Sequence, residues 1–328
     1  MARARWAILG TGAIARVFAA ALPDSSLGVL HAVGSADAAR ADAFAREIGA
    51  RVSGTYDDVV RRDDVDAVYV ATVHTTHAEV AMAALAAGKP VLCEKPLAPS
   101  LDQTSAVLTA ADRAQRPVVE AYKYRFTPFS ERIEREIRSG RIGAVREIHA
   151  SFGFAAPSRT GRLFDPLLAG GAIYDVGGYP VSSAVAIARW AGLDPAGLTV
   201  QAADGEVDPD SGVDIDARAR LVVGDLVANV AASITRPLSR EIRIVGDAGE
   251  IVAPSGWGSG ARSASSFEVR VPGAGASIVL PEVNPFAAEA DALVAAAAAG
   301  RRAAPQMPWN DSRATAGILD TWRAMLGR

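Results

Sequence analysis

Cysteine is almost missing from this 328-residue sequence, Cys93 being the only one. A single thiol excludes an internal disulfide framework and fits a reducing compartment. Long apolar runs are missing too: none approaches the ~20 residues that span a bilayer. The alanine string Ala295–Ala299 stops at Gly300-Arg301-Arg302 and reads as a helix end. Charge of one sign is not in excess, with 34 Lys and Arg against 37 Asp and Glu and a net charge of -3. Without a basic stripe to track a phosphate backbone, nucleic acid is not an expected partner. His31, His74, His77 and His149 do not fall in ligand spacing with cysteines or carboxylates, so no metal is expected. The opening MARARWAILG runs from a short basic tail into an apolar strand. It lacks the apolar core and cleavage site of a signal peptide, and the expected location is cytoplasmic.

What is present is ordinary for a globular chain, 50% hydrophobic and 22% charged, and long enough for two cores. Short apolar runs at Trp6–Leu9, Leu27–Val33, Ala67–Ala71, Val91–Cys93 and Val118–Val119 alternate with Ala-rich helical patterns at Ala38–Ile48, Ala78–Ala87 and Leu101–Ala114. That alternation predicts an α/β Rossmann domain, a doubly wound parallel sheet covered on both faces, over residues 1–121. Beyond a helix near Phe129–Ser139 the texture changes. Val145–Phe154, Leu198–Glu206, Ile215–Val223, Leu226–Ile234, Glu241–Val245 and Glu250–Val252 read as strands, the later ones separated by Gly- and Asp-bearing turns. An α+β domain with a large, mostly antiparallel sheet is therefore expected over 122–328. One helix, Val181–Ala191, interrupts it, Ser255–Ser266 reads as a mobile surface loop, and a helix at Ser312–Met325 is expected to pack back on the first domain.

The first strand enters Gly10-Thr11-Gly12-Ala13-Ile14-Ala15, a G-x-G-x-x-A turn that opens a helix. The first glycine permits a tight turn, the second lets the backbone approach a pyrophosphate, and Ala15 allows close helix–strand packing. A dinucleotide is thus expected, with Gly10, Gly12, Ala13 and Ile14 at its phosphates. An NAD site usually carries an acid at the end of the second strand, whereas here stand Gly34 and Ser35, followed by Arg40. Ser35 can donate to a 2′-phosphate and Arg40 can neutralise it, which favours NADP. Asp37 keeps NAD open, and an exposed helix arginine beside a turn serine is the plain alternative.

Several further segments carry a resemblance: Asp66-Ala67-Val68-Tyr69-Val70-Ala71-Thr72, His77-Ala78, Ala87-Gly88-Lys89-Pro90-Val91-Leu92-Cys93-Glu94-Lys95-Pro96-Leu97, Glu120-Ala121-Tyr122-Lys123-Tyr124-Arg125-Phe126-Thr127-Pro128, Arg162-Leu163-Phe164-Asp165-Pro166, Gly170-Gly171-Ala172-Ile173-Tyr174-Asp175-Val176-Gly177-Gly178-Tyr179-Pro180 and Met307-Pro308-Trp309-Asn310-Asp311-Ser312. Together they resemble the glucose-fructose oxidoreductase/inositol dehydrogenase/rhizopine-catabolism (Gfo/Idh/MocA) family, nearest to its dihydrodiol dehydrogenase and NADP-dependent D-xylose dehydrogenase branch. The resemblance implies a sugar or diol substrate, a homodimer or dimer of dimers, and an active site of Lys95, Asp175 and Tyr179. The family commonly has Pro and Asn where this chain has Val73 and His74.

Oxidising a secondary alcohol needs a group that takes the hydroxyl proton while hydride leaves carbon. A tyrosine can do so if its pKa is lowered, and a nearby Lys95 ammonium is expected to lower that of Tyr179. Asp175, four residues before Tyr179, would share its helix face and position the substrate. Thr72, His74, His77 and Glu94 are expected at the cofactor. Arg125 is expected either to border the cleft or to form an interdomain ion pair with Glu94. Phe154, Arg162, Phe164 and Asp165 are expected to line the substrate pocket, and Cys93 to serve packing only. Two rivals share the fold: a redox-assisted glycosidase that returns its cofactor unchanged, and a non-catalytic NADP-sensing regulator. Retention of both lysine and tyrosine argues against the second.

Overall fold

The computed structural model of the protein describes residues 3–258 and 261–327. The first 120 residues build a six-stranded parallel sheet from β1 (Ala4–Leu9), β2 (Gly28–Ser35), β3 (Val52–Thr55), β4 (Ala67–Val70), β5 (Val91–Cys93) and β6 (Val118–Glu120), in the order β3-β2-β1-β4-β5-β6. Helices α1 (Ala13–Ala21), α2 (Ala38–Ile48), α3 (Tyr56–Val60), α4 (His77–Ala86) and α5 (Leu101–Ala114) connect them. Residues Trp6–Leu9, Val68–Val70 and Val91–Cys93 are wholly buried. An uninterrupted apolar run is what a strand covered on both faces requires. The strand order reverses between β1 and β4, so the loops after those strands diverge and leave a crevice at their carboxyl ends.

The second sheet has eight strands: β7 (Val145–Gly153), β8 (Thr199–Val207), β9 (Asp214–Val223), β10 (Leu226–Ser233), β11 (Ile242–Gly246), β12 (Glu250–Ala253), β13 (Ser263–Val271) and β14 (Ala274–Val283). Their order is β14-β13-β12-β11-β7-β10-β9-β8, with only the β7–β10 pair parallel. In β9 the side chains of Ala217, Ala219 and Leu221 face inward while Arg218 and Arg220 are exposed, the alternation of a half-covered sheet. The remaining helices are α6 (Pro128–Arg138), α7 (Gly178–Trp190), α8 (Pro285–Ala298) and α9 (Trp309–Met325). Every residue of α7 except Arg189 is buried. α9 packs on both α5 and α7, and Asp320 accepts from the Leu101 N–H at the start of α5, at 2.7 Å.

Two parts of the expected layout need correction. The Ser255–Ser266 stretch is not a surface loop throughout: Trp257 is fully buried and donates through Nε1 to Ser151 O at 2.9 Å, and Ser263 already begins β13. Ser259 and Gly260 lie outside the described residues. The strands β3, β13 and β14 were not foreseen, because their small and polar residues blur the alternation. Among the described residues no helix is long and apolar enough to cross a membrane.

Candidate active site

The crevice at the β1/β4 switch opens into a cleft of about 1300 Å³ that runs on to the face of the second sheet. Its floor begins at the turn after β1. Gly10 has φ +121°, and a Cβ there would lie 2.3 Å from Ala71 O, so only glycine lets β1 and β4 approach so closely. A Cβ on Gly12 would meet nothing within 4 Å; its backbone faces open space at the start of α1, where unpaired N–H groups attract an anion. Ala13, Ile14, Ser35 and Arg40 line the same end, joined by Tyr56 of α3. These residues fit the phosphates and ribose of a dinucleotide. Asp37 does not line the cleft: its carboxylate caps α2, accepting from the Arg40 N–H at 3.0 Å.

Thr72, His74 and His77 follow β4. Both imidazoles are buried and uncharged, burial pushing His74 down to about 3 and His77 to about 4. His74 Nδ1 lies 3.2 Å from Ala169 O and must donate, which leaves Nε2 to accept from Arg162 Nη1 at 3.3 Å. His74 is therefore not a surface histidine but a link to the Arg162 segment. His77 lies between Pro96 O at 2.8 Å and Thr72 O at 3.2 Å, and so fixes the turn that carries Lys95.

Lys95 follows β5 and donates to the backbone carbonyl of Asp175 at 2.7 Å. That carbonyl is available for a local reason. Ile173–Gly177 form one π-helical turn before α7, and Pro180, five residues after Asp175, has no N–H to offer it. The Asp175 carboxylate accepts from Arg162 Nη2 at 2.7 Å. Although burial works against the charge, Lys95 and Arg162 hold Asp175 below the usual carboxylate range. Glu94 is buried and raised by that burial, and accepts from the Tyr69 hydroxyl. Tyr179 lines the cleft from the first turn of α7, its ring enclosed by Phe152, Tyr122, Tyr124 and Trp257. Phe154 and Arg162 reach the same cavity.

The structure thus brings together Gly10, Gly12, Ala13, Ile14, Ser35, Arg40, Thr72, His74, His77, Glu94, Lys95, Phe154, Arg162, Asp175 and Tyr179 around one cleft. It keeps three others out. Arg125 is a correction: its guanidinium is fully buried away from the cleft, bonded to Asp311, Ser182 O and Gln306 O, so it neither borders the cofactor nor meets Glu94. Phe164 packs into the core, and Asp165 caps the turn Pro166–Leu168 by accepting from the Leu167 N–H at 2.9 Å. A fourth correction concerns Tyr179 itself. Burial, with Glu94, Glu289 and Asp175 nearby, pushes its pKa well above 10, while Lys95 Nζ sits over the ring at 5.4 Å from the centroid. Lys123, Phe152, Arg240 and Phe286 are among the cleft residues that escaped the sequence reading. A lone lysine among Tyr122, Tyr124 and Phe126 is the one signal that could have exposed Lys123.

Among the described residues no group of three or more His, Cys, Asp and Glu could hold a metal ion. Residues 4–122 match the family model described as oxidoreductase family, NAD-binding Rossmann fold, and residues 131–252 match the GFO/IDH/MocA C-terminal domain. Over 179 residues the chain is 38% identical to D-xylose 1-dehydrogenase (NADP(+)) 2 of Haloferax volcanii, a stretch that is 54% of this chain and 55% of that relative, about half its length. It is 30% identical over 334 residues to trans-1,2-dihydrobenzene-1,2-diol dehydrogenase of Danio rerio, covering 98% of this chain and 97% of the relative. A 3-ketoreductase from Actinomadura kijaniata, solved with NADP and TDP-benzene, is similar with a TM-score of 0.85 at 26% identity, over 98% of this chain and 97% of that one. An aldose-aldose oxidoreductase from Caulobacter crescentus shares the fold, with a TM-score of 0.86 at 23% identity over 99% and 98% of the two chains. A parallel sheet with a glycine-lined crevice, an eight-stranded partner sheet and a near full-length relative agree: the chain belongs to the GFO/IDH/MocA family of NAD(P)-binding oxidoreductases.

Proposed function

We propose that the protein transfers hydride between NADP(H) and a secondary alcohol or carbonyl of a sugar or vicinal diol, with Tyr179 as acid/base, Lys95 as its charged neighbour and Asp175 positioning the substrate. The observation that carries this reading is the single cleft joining the Gly10–Ile14 turn and Arg40 at one end to Lys95, Asp175 and Tyr179 at the other. The nicotinamide, when bound, supplies or accepts the hydride. A phenol kept protonated by burial is ready to donate to a carbonyl oxygen, and in the oxidative direction it is the phenolate that takes the proton back. The Asp175 carboxylate, held by Arg162, can accept from a neighbouring substrate hydroxyl. Arg40 at the mouth and the diversion of Asp37 into a helix cap favour a 2′-phosphate over a bare ribose. The names of the xylose and dihydrodiol dehydrogenase relatives support the substrate class. Division of the chain at residue 121 and a homodimer across the open face of the second sheet belong to the same reading.

Fluorescence titration with NADPH and NADH, in wild type and Arg40→Ala, tests the cofactor; turnover of D-xylose and trans-1,2-dihydrobenzenediol by wild type and Tyr179→Phe tests the chemistry. Arg40→Ala should weaken NADPH by about 10–100-fold and leave NADH nearly unchanged. Equal binding of both nucleotides would discard the phosphate argument, and undiminished turnover by Tyr179→Phe would discard the acid/base assignment.

A further inference from the structure

Lys123 is the second lysine of the cleft. It stands at the start of the turn Lys123–Phe126, between β6 and α6, and its side chain is buried. Its Nζ donates to Trp257 O at 3.2 Å and to the Tyr179 hydroxyl at 3.5 Å, and lies 5.2 Å from the centre of the Tyr179 ring and 5.8 Å from that of Phe286. Lys95, by contrast, spends its short hydrogen bond on a backbone carbonyl. The α8 helix packs on this turn and brings Glu289, wholly buried, with neither carboxylate oxygen bonded to any described residue. A buried ammonium needs an opposing carboxylate if it is to stay charged, and Glu289 and Glu94 are the two whose fields favour the Lys123 ammonium, although burial pushes both of their carboxyls up as well, Glu289 well above its ordinary value. Against them burial draws Lys123 down to about 8, and Lys95 and Arg240 act in the same sense.

We infer that Lys123 is the positioning residue of Tyr179: its ammonium holds the phenolic oxygen in place and stabilises the phenolate left when the proton passes to substrate. This rests on Tyr179 being the acid/base. In that step the Tyr179 O–H bond breaks, its proton joins the substrate oxygen as hydride reaches carbon, and the charge left on the phenol faces an ammonium already in place. Other charged or titratable groups near Tyr179 are Lys95 and Glu94 after β5, Asp175 in the π-helical turn, Glu289 on α8, Arg240 before β11, and Tyr122 and Tyr124 beside Lys123 itself. The carboxylates oppose ionisation of Tyr179, so an ammonium in contact with the hydroxyl decides how far it is opposed.

The test reads Tyr179 directly and needs no substrate. Protein labelled with [13Cζ]tyrosine is followed by NMR from about pH 6 to about pH 10 as wild type, Lys123→Met and Lys123→Arg, with Tyr179→Phe assigning the resonance. In wild type the Tyr179 resonance should shift as Lys123 loses its proton near pH 8, Lys123→Met should abolish that step, and Lys123→Arg, charged throughout, should remove the step while holding the low-pH shift. Lys123→Gln takes the place of the Met variant should that one melt early. A Tyr179 resonance that stays flat through pH 8 in wild type, coincident with that of the uncharged variants, overturns the inference. Turnover of a sugar or diol by Tyr179→Phe would instead sink the acid/base assignment and leave the Lys123 linkage standing.

Discussion

Asp311→Ala should cost far more than an ordinary helix substitution, because it strands a charge in the core. The Arg125 and Asp311 side chains are both completely buried, and Arg189 reaches the same carboxylate at 3.1 Å while a quarter exposed. Without Asp311, Arg125 keeps the carbonyls of Ser182 at 2.9 Å and Gln306 at 3.1 Å and the neutral Tyr124 hydroxyl, which accept hydrogen bonds and cancel no charge. Breaking a buried pair in this way costs about 3–5 kcal/mol. At roughly 2 cal/mol/K of unfolding entropy per residue, the whole chain changes by about 0.7 kcal/mol/K, so the melting temperature should fall by about 4–7 °C. Scanning calorimetry at neutral pH measures it. The double variant Arg125→Met/Asp311→Leu removes both charges and should recover most of the loss, since an apolar pair of similar volume is often as stable as the ion pair. A single variant that melts within about 1 °C of wild type would refute the reasoning. The double variant should also bind NADPH within about threefold of wild type, because Arg125 lies outside the cleft; a large loss would return Arg125 to the cofactor.

Gly10→Ala should abolish NADPH-induced thermal stabilisation, since its Cβ would sit 2.3 Å from Ala71 O at a φ of +121°; a normal thermal shift would contradict the close approach of β1 and β4. Glu120 is buried at the end of β6, accepts from the Leu97 N–H, and is pushed from the ordinary 4.5 up to about 7 by that burial. Its folded pKa lies above the unfolded one, so the folded state holds the extra proton, and stability falls as pH rises from 4.5 to about 7. Glu120→Gln should flatten that slope by about 3 kcal/mol in urea unfolding at the two ends of the window, whereas an unchanged slope would show that Glu120 does not titrate there.

Much of the first sheet was legible because each strand is an apolar run between helix patterns, and burial on both faces demands such runs. The glycine turn and the position of Lys95 followed from that frame. The second sheet was harder to read. In β13 only Phe267 and Val269 are strongly apolar and inward, with Ser266 before them and Glu268 between them, so the alternation is short and faint. Arg125 was misread because its partner lies 186 residues away and nothing local marks Asp311 as buried. Phe164 and Asp165 were misread for a nearer reason: the cap that Asp165 supplies is a matter of backbone direction, which composition does not encode. The Tyr179 environment joins residues from the loop after β5, a π-helical turn, α7 and α8, and only tertiary packing brings those together.

The distance in sequence between Arg125 and Asp311 also orders events during synthesis. Arg125 leaves the ribosome 186 residues before the carboxylate that neutralises it. By then the strands of the first sheet are complete, and they can pair without waiting. The core around Arg125 cannot close on the same terms, since an unpaired guanidinium resists leaving water. A nascent chain halted before Asp311 should therefore hold a formed nucleotide fold beside an unfinished junction, and should be most exposed to proteases at that junction.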